Sequence, residues 1–221
     1  MNRVFVDVDT QHDFCAPGGA LFVSGAPEAM TPCARLVRAA VATGAPLVGS
    51  VDSHAHDAWE FATNPHLGPK GEKPNFPPHC VKGTPGWLKL PETLPERFYF
   101  VPVVPDAGAV GRIPAGTQAI YFEKEVYSLF ANPNAAAVLD AVAPAGPVEF
   151  VVFGVATDYC VRAAALGLVE WIRERPARAG SRVLVAEDAV AAVVPTGGAA
   201  ACDAMREAGV ALLPTEKILG A

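Results

Sequence analysis

The sequence predicts a three-layer α/β/α sandwich built on a mostly parallel, six-stranded sheet. Short runs of branched apolar and aromatic residues alternate along the chain with longer segments of helical periodicity. This alternation is typical of an open parallel sheet that is covered by helices on both faces. In addition, residues 148–153 form a very apolar run, interrupted only by Glu149, which indicates a strand buried on both sides, as the central strands of parallel sheets are.

The individual elements can be assigned in chain order from these patterns. The predicted strands are residues 4–9, 46–51, 98–104, 118–122, 148–153 and 182–186. Four segments have apolar residues at a spacing of three or four and are predicted as helices, namely residues 28–43, 132–142, 158–175 and 196–207. Gly209 follows the last of these helices, where a glycine commonly ends a helix.

Composition limits the kind of protein that this chain can form. Its 221 residues, 51% of them hydrophobic, are enough for one domain spanning residues 1–221 with a substantial core. Only 18% of residues are charged and the net charge is −6, which argues against disorder and against a nucleic-acid partner. We find neither a signal peptide nor an apolar run near the ~20 residues of a membrane span. Five cysteines, an odd number, fit a reduced cytoplasmic protein.

An irregular segment separates the second and third predicted strands. It runs over about residues 53–97, and its part from 65 to 95 contains eight prolines and four glycines. Four of the five histidines of the chain lie in this segment. Because structureless insertions of this length inside compact domains are usually functional, we expect the segment to contribute to a site.

The predicted sheet brings four chemically active side chains to one edge. Ligands of open α/β folds bind beyond the carboxyl ends of the strands, and Asp9, Asp52, Lys124 and Cys160 lie at or just after such ends. Cys160 falls in the first turn of a predicted helix, where backbone amides and the helix dipole favour a thiolate and can hold an oxyanion. It is therefore the candidate nucleophile.

Several assignments at this edge stay open from the residues alone. Asp7 and Asp13 compete with Asp9 as the general base. Lys124 stands between two glutamates and could equally belong to a solvated charge cluster. The other cysteines are interpreted as small buried hydrophobic residues: Cys15, Cys33, Cys80 and Cys202.

A metal site is indicated by the pair Asp52 and His54. In an extended strand end, residues two apart point the same way, and one carboxylate with one imidazole suits Zn²⁺, Mn²⁺ or Fe²⁺. Further ligands must come from later in the chain. The candidates are His56, Glu60, His66 and His79.

These motifs resemble those of the nicotinamidases (pyrazinamidases) in the isochorismatase-like cysteine hydrolase family. Residues 8–15, Val-Asp-Thr-Gln-His-Asp-Phe-Cys, are similar to the family's opening motif, and Phe-Glu-Lys at 122–124 is similar to the segment with its catalytic lysine. Residues 154–161, Gly-Val-Ala-Thr-Asp-Tyr-Cys-Val, are close to its nucleophile motif. The likeness extends over nearly the whole chain.

The resemblance implies a fold, a mechanism and a ligand set. Asp9, Lys124 and Cys160 would be the catalytic triad, with a cis peptide bond between Val155 and Ala156 and an oxyanion hole formed by the Ala156 and Cys160 amides. One divalent metal, Zn²⁺ first and Fe²⁺ or Mn²⁺ as alternatives, would bind the substrate's ring nitrogen. Its implied ligands are Asp52, His54, His79 and, where many relatives have a histidine, Glu60. Phe14, Phe76 and Tyr127 match aromatic residues of the substrate pocket.

We therefore expect hydrolysis of nicotinamide, and of pyrazinamide, to the acid and ammonia through a cysteine thioester, in NAD salvage. One alternative is an amidohydrolase of the same superfamily acting on a carbamoyl or ureido substrate, which would need no metal. Another is a catalytically silent member that binds a metal or ligand. The sequence leaves the oligomeric state open, a homo-oligomer included.

Overall fold

A computed structural model of the protein describes residues 1–220 and contains one seven-stranded sheet. The strand order is β3-β4-β2-β1-β5-β6-β7, and all recorded pairings are parallel. The strands are β1 Asn2–Val8, β2 Leu47–Asp52, β3 Phe98–Val101, β4 Ala119–Lys124, β5 Val148–Val155, β6 Arg182–Ala191 and β7 Ala211–Leu213. The predicted α/β class is confirmed. Ala221, the last residue of the predicted domain, lies outside the described residues.

Helices cover both faces of the sheet and complete the three layers. They are α1 His12–Cys15, α2 Ala26–Thr43, α3 Ala109–Arg112, α4 Ala135–Val142, α5 Arg162–Arg173, α6 Pro195–Glu207 and α7 Thr215–Leu219. Alternate residues of β1 point to opposite faces, so Val4 and Val6 join one hydrophobic cluster with α4, α5 and α6, whereas Phe5 joins the other with α2 and α7. Within residues 1–220, no helix combines the length and the apolar content needed to cross a membrane.

The sequence prediction is wrong in the number of strands and in some bounds. The seventh strand, β7, has only three residues and is partly exposed, so it lacks the long apolar run by which the other strands were recognised. The helix predicted over 158–175 begins instead with a π-helical turn, Thr157–Val161, in which the Val161 N–H donates to the Ala156 carbonyl at 3.1 Å. Gly209 has a φ of 92°, as expected for a glycine that ends a helix.

The central strands β1 and β5 approach so closely that one position requires glycine. Gly154 has a φ of 116°, and a Cβ built there would lie 2.0 Å from the Val8 carbonyl oxygen. The chain leaves β1 toward β2 on one side, whereas β5 is followed by β6 on the other. A reversal of this kind opens a crevice at the carboxyl ends of the two strands, where the candidate residues lie.

We expect Gly154→Ala to destabilise the fold by about 3 kcal/mol or more, because the new methyl group collides with backbone that cannot move aside. The measurement is the free energy of unfolding in urea. Gly111→Ala is the matched control, since a Cβ at this helical position meets nothing within 4 Å and should leave stability unchanged or slightly higher. If Gly154→Ala were as stable as the wild type, the backbone of β1 could not lie as close to residue 154 as the structure places it.

Candidate active site

Asp9, Lys124 and Cys160 meet in one buried cluster at the carboxyl ends of β1, β4 and β5. The Lys124 ammonium lies 2.8 Å from Asp9 Oδ2 and 3.5 Å from Cys160 Sγ. A carboxylate oxygen of Asp9 and the Cys160 sulfur are within 4.8 Å of each other. Lys124 is fully buried, so it does not belong to a solvated charge cluster. The sheet therefore brings together a thiol, a carboxylate and an ammonium group.

Electrostatics around Cys160 favour a protonated thiol rather than the expected thiolate. Burial raises the pKa of Cys160 well above its usual range, and the negative charge of Asp9 adds to this, while the Lys124 ammonium opposes it. Burial also raises the pKa of Asp9, with Lys124 opposing. Burial and the Asp9 carboxylate thus oppose the effect that was expected of the helix start. Activation of the thiol thus requires a base within reach, and a carboxylate of raised pKa is a stronger base than an ordinary one.

The two aspartates that competed with Asp9 for this role have structural partners instead. Asp7 is fully buried and its Oδ2 lies 3.0 Å from the Lys89 ammonium. Asp13 accepts hydrogen bonds from the backbone N–H groups of Cys80 and Ala20 at 2.7 and 3.0 Å. Of the three, only Asp9 combines contact with Lys124 and closeness to the cysteine sulfur.

The turn that carries Cys160 has the cis peptide bond that the resemblance implies. The peptide bond between Val155 and Ala156 is cis. Cys160 lies in the π-helical turn directly before α5, and its side chain and Ala156 both line the pocket described below. Of the remaining cysteines, three are buried as expected, but Cys202 on α6 is partly exposed, which corrects the prediction for that residue.

A set of four possible metal-binding side chains lies beside this cluster. Ligand atoms of Asp52, His54 and His79 all lie within 4.8 Å of one another. Glu60 Oε1 approaches the Nε2 atoms of both histidines, at 3.2 and 3.4 Å. The ring of His79 is oriented by its Nδ1–H, which donates to the Pro77 carbonyl at 2.8 Å. Asp52 and the two imidazoles form the compact group, and Glu60 adds a carboxylate that faces both imidazoles. Two imidazoles with carboxylates are a donor set that suits Zn²⁺, Fe²⁺ or Mn²⁺.

Two further observations bear on whether a metal fits this set. His54 Nε2 is buried and makes no aligned hydrogen bond to any group in residues 1–220, although two carboxylates face it. A buried ring nitrogen without a partner is unfavourable unless it binds an ion, so the residues present fit a divalent metal. The rival ligands His56 and His66 are exposed, whereas all four residues of this set are buried.

Lys124 joins the cysteine cluster to the metal-binding set, because its ammonium also contacts Asp52 Oδ1. Burial opposes ionisation of Asp52, but the Lys124 ammonium and the two imidazoles lower the pKa of its carboxyl. Burial alone would lower the pKa of Lys124, whereas Asp52 and Asp9 raise it well above its usual range. The two groups of residues are therefore one continuous electrostatic network.

A mostly apolar pocket opens onto both groups. Cys160 and Ala156 form one part of its lining, and Asp52, Glu60 and His79 form another. The three aromatic residues predicted for the pocket all line it: Phe14, Phe76 and Tyr127. A flat, apolar molecule can thus contact the thiol and the metal-binding residues at the same time.

The family of the chain follows from comparison with known proteins. A model of the isochorismatase domain matches residues 3–217. The chain belongs to the isochorismatase family. It is 30% identical over 217 residues to a nicotinamidase/pyrazinamidase of Mycobacterium tuberculosis, which covers 96% of this chain and 98% of that protein.

Solved structures of other family members have the same fold. A pyrazinamidase of Pyrococcus horikoshii in complex with zinc is 25% identical, with a TM-score of 0.70, and the match covers 97% of this chain and 99% of that one. A nicotinamidase of Acinetobacter baumannii has a TM-score of 0.72 at 23% identity, with 98% of both chains covered. At that identity the second likeness supports the fold alone.

Three residues that support the site of this isochorismatase-family chain were not predicted. The Gln11 amide holds the backbone of Asp52 from both sides, donating to its carbonyl and accepting from its N–H, each at 2.8 Å. Ser50 Oγ donates to Asp9 Oδ1 at 2.7 Å. Tyr159 lines the pocket with its ring 5.2 Å from that of Tyr127. Gln11 lies inside the motif at residues 8–15 and Tyr159 inside the motif at 154–161. Their position next to the predicted catalytic residues could therefore have indicated that they belong to the site.

Proposed function

We propose that this protein is a nicotinamidase, which hydrolyses nicotinamide, and also pyrazinamide, to the corresponding acid and ammonia. The observation that carries the proposal is the shared pocket, in which a buried cysteine with its base faces a metal-binding donor set across an apolar space. An aromatic amide with a ring nitrogen has the matching chemistry, since it offers an electrophilic carbon at one end and a metal ligand at the other. The nicotinamidase/pyrazinamidase relative at 30% identity supports the same substrate class.

In the first half of the proposed reaction, Asp9 accepts the proton of the Cys160 thiol as the sulfur attacks the amide carbon. The Lys124 ammonium, in contact with both groups, stabilises the negative charge that passes between them. The oxyanion accepts hydrogen bonds from the Ala156 and Cys160 N–H groups, and each such donor typically contributes ~10²–10³ in rate. Protonated Asp9 then donates its proton to the leaving nitrogen, which releases ammonia and leaves a thioester.

In the second half, a water molecule replaces ammonia and Asp9 acts as its general base. Hydroxyl addition to the thioester carbon regenerates an oxyanion at the same two amides. Collapse of this intermediate breaks the carbon–sulfur bond, and the proton held by Asp9 returns to the Cys160 sulfur. The enzyme leaves the cycle unchanged, with one water consumed and one acid formed.

Asp52, His54, His79 and Glu60 are the residues that we propose to hold the metal. When bound there, a divalent ion would supply a coordination position for the ring nitrogen and so orient the ring. We propose Zn²⁺ as its identity, with Fe²⁺ and Mn²⁺ as the alternatives that this donor set also accepts. The pocket aromatics Phe14, Phe76 and Tyr127 pack around the apolar part of the ring.

The physiological role that we propose is NAD salvage, in which nicotinamide is returned to nicotinate. The five cysteines are all free, and four of them are buried, as expected for a protein of a reducing compartment such as the cytoplasm.

The decisive experiment measures ammonia release from nicotinamide before and after metal chelation. We expect turnover by the metal-loaded protein, a large rise in KM after chelation, and recovery when Zn²⁺ is restored. Benzamide, which lacks the ring nitrogen, is the matched control substrate, and its KM should change much less. A protein that ignores nicotinamide but hydrolyses carbamoyl or ureido compounds without metal would overturn the proposal, and so would one that hydrolyses neither.

A prediction for the metal ligands separates Glu60 from its histidine rivals. We expect Asp52→Asn, His54→Ala and His79→Ala each to lose the one metal per chain, and Glu60→Gln to weaken its binding by ~10-fold or more, because a carboxylate ligand becomes a neutral amide. The measurement is metal content of the purified variants after dialysis against a competing chelator.

The control for this prediction is His66→Ala, which removes an exposed imidazole of the same segment and should leave the metal content at the wild-type level. His56→Ala provides a second control of the same kind. Full metal content in Glu60→Gln together with an empty site in His66→Ala would show that the ligand set is assigned incorrectly.

A further inference from the structure

A buried network around Thr10 lies directly behind the candidate active site. The Thr10 hydroxyl donates to Asp7 Oδ1 at 2.9 Å, accepts from the Lys89 ammonium at 2.7 Å and lies 2.7 Å from the hydroxyl of Thr93. Asp7, Thr10 and Thr93 have no exposed surface, and the Lys89 side chain is fully enclosed. We call these four residues the Thr10 network.

The network connects two distant parts of the chain. Asp7 and Thr10 lie at the end of β1, whereas Lys89 and Thr93 come from the end of the long irregular segment that also supplies His54, Glu60 and His79. Backbone hydrogen bonds reinforce the junction: the Leu90 N–H donates to the Thr10 carbonyl at 2.9 Å, and the His12 N–H donates to the Leu88 carbonyl at 2.8 Å. The segment is thereby fixed to β1 at the residues flanking Asp9.

Asp9 itself has an unfavourable backbone conformation that needs such support. Its φ is 48°, in the left-handed region, which costs a non-glycine residue about 1–3 kcal/mol and persists only where the surroundings enforce it. Thr10 follows Asp9 directly, so its three hydroxyl contacts fix the peptide on the carboxyl side of this conformation. On the amino side, Asp7 is held by Lys89 at 3.0 Å.

We propose that Thr10, which is hydrogen-bonded to Asp7 and Lys89, is a positioning residue that holds the Asp9 carboxylate within reach of the Cys160 thiol. The proposal rests on the role of Asp9 as proton acceptor given above. It assigns a function to a buried ion pair that the reaction does not otherwise use. A well-packed apolar pair in place of Asp7 and Lys89 would often be as stable as the buried ion pair. Stability alone therefore does not explain why these two residues are charged, whereas their hydrogen bonds to Thr10 do.

The test replaces the hydroxyl of Thr10 by a methyl group of the same shape. We expect Thr10→Val to lower kcat for nicotinamide at least tenfold, because small misplacements of a catalytic group cost this much or more, while KM and metal content stay within about twofold. The rate of Cys160 alkylation by iodoacetamide should fall in parallel. Thr10→Ser, which keeps the hydroxyl, should restore both rates to near wild type.

The matched control is Thr215→Val, since Thr215 is equally buried and its hydroxyl also donates to an aspartate, Asp188 of β6, at 2.8 Å. It should lose stability without losing kcat. If Thr10→Val does not fold, the double variant Asp7→Leu with Lys89→Met takes its place, because it removes both charges together and leaves Thr10 without these partners.

The outcomes distinguish the proposals from each other. Wild-type kcat and alkylation rate in Thr10→Val, or in the double variant, would overturn the positioning role. The role would also be overturned if Thr10→Ser and Thr215→Val both lost as much kcat as Thr10→Val, because a loss of stability alone would then account for the three results. Failure of the wild type to hydrolyse nicotinamide would instead overturn the proposed function, and the alkylation rates would still test the position of Asp9.

Discussion

Cys160→Ala is expected to abolish ammonia release from nicotinamide, with a loss of at least ~10⁴ in kcat, because no other group can form the thioester. The change from thiol to methyl removes little volume from a buried position, so the fold should be retained. Metal content should also stay at the wild-type level, since Cys160 is not among the proposed metal ligands. The measurement is single-turnover ammonia release, together with metal analysis of the same preparation.

Cys33→Ala is the matched control for this variant. Cys33 is also a buried thiol, packed in α2 against β6, where its sulfur donates to the Ala189 carbonyl at 3.2 Å. Its replacement should leave kcat within an order of magnitude, although stability should decrease. Measurable turnover in Cys160→Ala, with the Cys33 variant behaving as expected, would rule out a cysteine thioester and favour direct attack by water.

The central part of the fold could be predicted because its strands carry a strong and simple pattern. The run that forms β5 is apolar at nearly every position, and the strand is buried along its whole length. Weak elements escaped prediction for the same reason. β7 has three partly exposed residues, and the second half of β6 begins with two consecutive acidic residues, Glu187 and Asp188, which interrupt the apolar pattern of a strand. Both β7 and the second half of β6 are strands because they pair with neighbouring strands, and this pairing cannot be seen in the sequence.

The site could be predicted as far as the strand ends determine it. Asp9, Asp52 and Lys124 follow from the rule that parallel strands end at one edge, and the structure places them in mutual contact through the lysine ammonium. What the sequence could not provide is the contact itself. Lys124 stands between two glutamates in the chain, yet its ionic partners come from β1 and β2, so its role as a bridge depends on tertiary structure.

The expectation of a thiolate at Cys160 came from a local rule, which does not take burial into account. The helix dipole acts over about one turn and is worth about 1 kcal/mol, whereas burial and the neighbouring carboxylate raise the pKa of the thiol. Burial is a property of the assembled pocket and has no signature in the nucleophile motif. In the proposed mechanism, the activation of this thiol therefore depends on Asp9 as the proton acceptor.

Asp9→Asn tests that conclusion directly. It keeps the shape of the side chain and its contact with Ser50, but it removes the proton acceptor, so kcat for nicotinamide should fall by at least ~10². Alkylation of Cys160 by iodoacetamide at neutral pH should slow as well, because the thiol loses the group that accepts its proton. We expect this loss to outweigh the removal of the Asp9 charge, which in the wild type contributes to the raised pKa of the thiol.

The side effects of Asp9→Asn are as informative as the loss of activity. Lys124 loses one of its two buried carboxylate partners and keeps Asp52, so the ammonium stays paired and the metal content should be retained. Asp140→Asn, which removes an exposed carboxylate paired with Arg175, is the control and should alter neither rate. If Asp9→Asn were alkylated as fast as the wild type, another group would have to activate Cys160, and Asp9 would be left with the lesser role of neutralising Lys124.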